Sequence, residues 1–282
     1  MPHSRRTFLK QTAAASTALA LASRLAADAA AAPAARDLYE WRCYRLKAET
    51  RLKADADPAL LDAYLEHAML PALDRLGIRD VGVFTELDVQ KETATATPKA
   101  NSPVWVLITH PTLESFVQVS AALHVDPDVQ AAGATYLQAA RSQPAFERID
   151  SWLYLAFQGL PRINVPPFSR SRVPTRVFEM RDYESHGELK ALNKMAMFDD
   201  GEITLMQNLG MYPVFFGQGL AGPDLPHLRY ITSGPDLASH LGAWKKFGPD
   251  PRWAAMRDDP RYADNVSRNT ARFLTPKAYS PI

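Results

Sequence analysis

The chain says nearly the same thing twice. Leu38-Tyr39-Glu40-Trp41-Arg42-Cys43-Tyr44 matches Val177-Phe178-Glu179-Met180-Arg181-Asp182-Tyr183 at an offset of 139. Leu76-Gly77-Ile78 before Val81 matches Leu209-Gly210-Met211 before Val214 at an offset of 133. Leu107-Ile108-Thr109 matches Tyr230-Ile231-Thr232 at an offset of 123. Three anchors in one order define a duplicated supersecondary unit, so the fold must be one that two similar units can build together.

Each unit reads β-α-β-β-α-β, the ferredoxin-like split pattern. In the first, a helix is expected from Asp57 as N-cap and Pro58 in the first turn to Gly77 as stop, with an apolar stripe of Leu61, Leu65, Ala68, Ala72 and Leu76 and a kink at Pro71. Strands are expected at 80–87, 103–109 and 148–157, with a polar loop between the first two. The second unit repeats the order, from a helix ending near Gly210 to a closing strand near 270–274. Residues 36–158 and 175–282 are the two halves, and the Pro- and Arg-rich run 159–174 reads as their linker.

Ahead of both halves stands Ser4-Arg5-Arg6-Thr7-Phe8-Leu9-Lys10, which fits a twin-arginine export signal in every position. The Ala-rich stretch behind it is too short to span a bilayer core of about 30 Å, so residues 1–32 are expected to be removed. The destination is periplasmic or extracellular, and the export machinery is a partner during secretion. Cys43 is the only cysteine, so no intrachain disulfide is available. Net charge is +1 for the whole chain and falls to about −2 without the signal, which argues against nucleic acid or an anionic membrane as the main partner. No later apolar run is long enough for stable membrane insertion.

The tandem anchors, "RDYES" (181–185), "PVFFGQGLAGPDLPHLRYI" (213–231) and "AWKKFGPDPRW" (243–253) resemble the NIPSNAP family of the dimeric α+β barrel superfamily. The resemblance implies an α+β fold in which two ferredoxin-like units meet sheet to sheet and close a barrel within one chain. Superfamily relatives include haem-degrading and cofactor-free monooxygenases as well as proteins that only bind small molecules.

Strand alternation places Glu40, Arg42 and Tyr44 on one face and Tyr39, Trp41 and Cys43 on the other. The second copy gives Glu179, Arg181 and Tyr183 on its polar face. Two polar faces meeting would line the barrel and hold a small, partly anionic ligand through forked guanidinium donors and phenols. The competing reading is that each Glu is neutralised by a nearby Arg in a packed interior. Catalytic candidates are His186, after the second anchor strand, and His67 on the first helix, either of which would serve an acid-base or haem-ligating role. Ser185 is the alternative role for that segment, as a helix cap. His110 reads as a loop residue, and Trp244, Phe247 and Trp253 as core or subunit contact. No H-E-x-x-H, P-loop, G-x-G-x-x-G or G-x-S-x-G pattern occurs, so no metal and no nucleotide is called for. No cofactor is required, with haem compatible. Three functions stay open: a small-molecule binder, a haem-dependent or cofactor-free oxygenase-like enzyme, and an interaction module that forms homo-oligomers.

Overall fold

The structure is a computed structural model and describes residues 35–46 and 56–282. The twin-arginine expectation at residues 1–32 lies outside them. β1 (Leu38–Arg45) leads to helix α1, whose first segment is Pro58–Tyr64. The Asp57 carboxylate caps it by accepting from the Ala59 amide at 2.9 Å. Pro71 does not break this helix. A π-helical turn at Leu65–Met69 precedes it, in which the Leu70 amide reaches back to the Leu65 carbonyl, and the helix resumes as Leu70–Arg75. The wider turn accommodates a residue that has no N–H to donate. Gly77, at φ 81°, ends the helix in the left-handed region. Leu61, Leu65, Ala68 and Ala72 are buried, whereas Leu76, in the terminal turn, is exposed.

β2 (Val81–Gln90) is longer than its sequence signal and carries a short partner, β3 (Thr95–Pro98), inside the expected polar loop. β4 (Val104–His110), α2 (Leu113–Val125) and β5 (Arg148–Ala156) complete the first unit. In the second, β6 (Val177–Glu184) is followed by α3, made of Glu188–Met197, a π-helical turn at Phe198–Glu202 and Ile203–Asn208. Then come β7 (Pro213–Ala221), β8 (His227–Gly234), α4 (Leu237–Phe247) and β9 (Arg268–Pro276). The two π turns keep the 133-residue offset of the second sequence anchor.

The strand order is β3-β2-β4-β1-β5-β7-β8-β6-β9, with a further pairing of β2 to β9 that closes an eight-strand antiparallel barrel and leaves β3 outside it. Each unit contributes four strands, and the units join at two seams, β5 with β7 and β2 with β9. The fold is therefore the expected α+β barrel of two ferredoxin-like units. Among the described residues no helix is long and apolar enough to cross a membrane.

Pairing corrects the third sequence anchor by one residue. Trp41 faces Leu107 across β1–β4, and Met180 faces Ile231 across β6–β8. Because Trp41 and Met180 are equivalent, Leu107 corresponds to Ile231 and the offset there is 124. A slip of one residue moves every side chain to the opposite face of a strand, so it changes which residues share the interior.

Barrel interior and helix layers are separate cores. Tyr39, Trp41, Phe84, Trp105, Trp152, Tyr154, Phe178, Phe215, Ile231 and Leu274, drawn from both units, form the interior cluster. Tyr44, Leu61, Leu65, Val83 and Val106 belong instead to the layer under α1 and α2. The run 159–174 is not a free linker. Val165 is buried in the interior cluster, and the Ile163 amide and the Arg162 guanidinium both bond the Asp37 carboxylate.

Candidate functional site

Glu40, Arg42, Tyr44, Glu179, Arg181 and Tyr183 do share one face of each strand, but that face meets the helices and not the barrel interior. Polarity does not select the side of the sheet, and the expected barrel-lining role of these six residues is corrected on that ground. On that face Glu40 is neutralised by Arg42 and His110 of the sheet and Glu179 by Arg181 and by His240 of α4, while the interior receives aromatic residues. In the first unit Arg42 Nε donates to Glu40 at 2.5 Å, and buried His110 Nε2 lies 3.4 Å from the other carboxylate oxygen. Tyr44 packs edge-on against Phe146 at 5.7 Å. In the second, Arg181 binds Glu179 through Nε at 2.9 Å and Nη2 at 2.8 Å. His240 Nε2, 2.7 Å away, and Trp244 Nε1 both donate to the remaining oxygen. The Arg181 guanidinium lies 4.0 Å over the Trp244 ring, and Tyr183 and Tyr230 hydroxyls are 3.2 Å apart. Burial alone would raise the Glu179 carboxyl, but the His240 hydrogen bond and the Arg181 charge outweigh it and hold it at about 2. The second ladder pins α4 to the sheet through His240 and Trp244, whereas the first ties β1 to β4 through His110.

The histidine candidates lie elsewhere. His67 is exposed on α1, 3.8 Å from Glu66, and half-exposed His186 is 3.7 Å from Asp264. Ser185 does not cap α3, which starts after Gly187; its hydroxyl donates to the Asn265 carbonyl. His110 is no loop residue, since it ends β4 and is fully buried.

A cavity of about 410 Å³ opens at one end of the barrel, within the range of small-ligand sites. Its inner wall is a charge cluster. Asp182 on β6 accepts from Arg229 Nε on β8 at 2.5 Å and from Arg272 Nη1 on β9 at 2.7 Å. Glu86 on β2 accepts from Lys99 Nζ at 2.6 Å and from Trp105 Nε1 at 3.0 Å, with Arg272 Nε 3.8 Å away. Three cations thus face two carboxylates in this inner cluster, and with Arg45, Arg268, Asp150, Glu184 and Asp224 of the same cavity the wall carries five groups of each sign. Burial would raise the Asp182 carboxyl, but the Arg229 charge and hydrogen bond hold it below its usual range. Arg45 and Asp150 close a separate pair at the rim.

Arg229 is the unusual member. It is 3% exposed, stands 4.6 Å over the Trp152 ring, 5.4 Å over Trp105 and 5.8 Å over Trp41, and its Nη1 has no hydrogen-bond partner among the described residues. Beside it, His227 Nδ1 donates to the Asp224 carbonyl at 3.1 Å, which fixes the tautomer and leaves Nε2 to accept from the Tyr154 hydroxyl at 2.8 Å. Burial and the neighbouring Arg229 push the His227 pKa down, so the ring is neutral near pH 7. Burial pushes the Cys43 thiol in the cavity wall up to about 12, which leaves it protonated. Sequence reasoning passed over Arg229 and His227 although both stand in the "PHLRYI" run. The corrected offset of 124 would have shown that Arg229 shares a face with Asp182. Among the described residues no cluster of three metal-ligating side chains occurs.

A protein from Lactobacillus acidophilus NCFM, provisionally named a monooxygenase, is similar in fold, with a TM-score of 0.53 and 8% identity over 86% of this chain and 94% of its own. A protein from Fusobacterium nucleatum, named in the same provisional way, gives a TM-score of 0.49 and 8% identity over 86% and 93%. A NIPSNAP family protein from Agrobacterium tumefaciens str. C58 covers 38% of this chain and 98% of its own at 19% identity and a TM-score of 0.34. No curated protein matches the chain. Residues 178–281, from the anchor strand of the second unit into its C-terminal tail, match the NIPSNAP family model.

Proposed function

We propose that the chain is an exported small-molecule-binding protein that takes a small, partly anionic ligand in the mouth of its barrel. The observation that carries the reading is Arg229, a desolvated guanidinium in the wall of the cavity that bonds Asp182 through Nε alone and leaves its buried Nη1 without a partner among the described residues. Desolvating that group costs several kcal/mol, and a buried donor left unmade costs about 1–3 kcal/mol more. An acceptor supplied by a ligand removes the second cost, and a guanidinium favours an anionic acceptor. The export half of the proposal rests on the Ser4–Lys10 motif.

Thermal-shift measurements with a series of small carboxylates test the site. At least one should raise the melting temperature of the full chain as a bound ligand does. Arg229→Met should lose that increment. If every carboxylate moves the wild type and the variant equally, the site assignment fails. Replacing Arg5 and Arg6 by Lys should hold the protein in the cytoplasm, and unchanged export would remove that half.

A monooxygenase-like enzyme is the second reading, and the Tyr154–His227 pair is the observation that favours it. A phenol whose proton is already directed at a neutral imidazole can relay a proton for a bound substrate. Haem does not fit the mouth as it stands, because both nitrogens of His227 are engaged and His67 and His186 lie outside the cavity. Turnover of a bound carboxylate with oxygen uptake, lost in Tyr154→Phe, would move this reading ahead of binding alone.

A further inference from the structure

The two halves keep their repeat on the helix side and lose it inside the barrel mouth. Cys43 pairs with Trp105 across β1–β4 where Asp182 pairs with Arg229 across β6–β8. Trp41 pairs with Trp152 across β1–β5 where Met180 pairs with Arg272 across β6–β9. At pseudo-equivalent interior positions, therefore, the first half places the indoles Trp105 and Trp152 and the second half the guanidiniums Arg229 and Arg272. All four line the cavity. The asymmetry extends to the other strand pair. Phe84 pairs with Trp105 across β2–β4, and Gly217 pairs with Arg229 across β7–β8, so the second half gives up side-chain volume where the first half fills it.

Resting on the reading of the mouth as an anion-binding cavity, we propose that its ligand is an aromatic monocarboxylate, bound in one orientation with its carboxylate toward Arg229 and its ring toward Trp105 and Trp152. A single carboxylate matches the one guanidinium, Arg229, that spends only its Nε on the wall's own acids. Asp182 is served by two arginines, Glu86 by Lys99 and Trp105 and Asp150 by Arg45, whereas Arg229 spends only its Nε and keeps Nη1 buried without a partner among the described residues. An indole wall attracts a flat π-system through offset or edge contacts that an aliphatic ring of the same size makes less well. The indole N–H groups do not compete for the ligand, because Trp105 Nε1 donates to Glu86 and Trp152 Nε1 donates to the Pro223 carbonyl at 3.2 Å.

The test compares benzoate, cyclohexanecarboxylate and benzamide on the full-length chain, read by the indole N–H resonances of its five tryptophans. Benzoate should shift the Trp105 and Trp152 signals and leave Trp244 and Trp253 in place. Cyclohexanecarboxylate and benzamide should each bind about tenfold or more weakly. Trp152→Leu, which keeps every charged group, should narrow the gap between benzoate and cyclohexanecarboxylate. Equal binding of the two carboxylates overturns the aromatic assignment and leaves the anion site standing. Equal binding of benzoate and benzamide overturns the charge assignment. If none of the three moves Trp105 or Trp152, the cavity reading falls along with this one.

Discussion

Lys194 and Glu202 form an ion pair of 2.8 Å across the π turn of α3, with the lysine side chain 4% exposed and the glutamate 2%. The lysine ammonium also lies 4.4 Å from the Phe198 ring and 5.5 Å from Trp253. The wide turn brings together two side chains eight residues apart and seals them under aromatic cover.

Removing one member should cost far more than removing both. Lys194→Met leaves a carboxylate whose pKa burial already raises, and should destabilise the protein by about 3–5 kcal/mol. Lys194→Met combined with Glu202→Leu should recover most of that loss. Urea denaturation of the three proteins decides it; a double variant as weak as the single one would refute the pairing argument.

Acid should destabilise the fold well above the ordinary carboxylate range. Glu179, at about 2, together with Asp182 and Glu40, has its folded pKa depressed, and so does His227 relative to 6.5. For a depressed group the stabilisation is present above the unfolded pKa and lost as pH falls through the folded one. Loss should therefore begin as pH drops below about 6.5, through His227, and steepen through the carboxylates toward about 2. Glu202 is shifted upward and contributes in the opposite sense, with its share lost as pH rises. Glu179→Gln should be less stable at neutral pH and show a shallower acid slope. Denaturant midpoints across the pH range are the measurement, and an unchanged slope in the variant would count against Glu179 as a main contributor.

Gly219 on β7 is a steric requirement of the mouth. A Cβ there would meet Leu225 Cδ2 at 2.8 Å, the His227 carbonyl oxygen at 2.9 Å and His227 Cε1 at 3.2 Å. The leucine can turn away but the carbonyl is backbone. Gly219→Ala should cost about 1–3 kcal/mol and perturb the Tyr154–His227 hydrogen bond. A His227 ring resonance unchanged from wild type would argue that the backbone gives way without disturbing the pair.

Cys43 should be nearly inert while the protein is folded. With its thiol pushed to about 12, its thiolate fraction near pH 8 is about a thousandfold below that of a free cysteine. A thiol reagent should label it slowly in native buffer and quickly in urea. Fast stoichiometric labelling of the native protein would show that the cavity wall opens readily.

Much of the architecture was readable because repeats, capping residues and hydrophobic periodicity are local signals. Asp57, Pro58 and Gly77 bracket α1 through backbone chemistry that needs no partner. The side of the sheet was not readable, because alternation separates Glu40 from Trp41 without saying which of them meets the helices. That answer depends on His110 and His240, which come from different elements in the two halves and share no sequence position. Arg229 was missed for a related reason. Its significance comes from Asp182, Arg272 and three indoles gathered from both halves, and only the strand register brings them together.

The two seams have a consequence for how such a chain can exist in pieces. Backbone pairing between β5 and β7, or between β2 and β9, takes no account of which half supplies the strand. An isolated half would present the long, unpaired borders of β2 and β5, or of β7 and β9, and open borders of this kind recruit whatever strand is nearest. Each half is therefore equipped to pair with a copy of itself. Such a symmetric barrel would bring together either two sets of indoles or two sets of arginines. Covalent tethering raises the local concentration of the unlike half, and that bias toward the mixed barrel is what lets one chain hold both kinds of wall around a single opening.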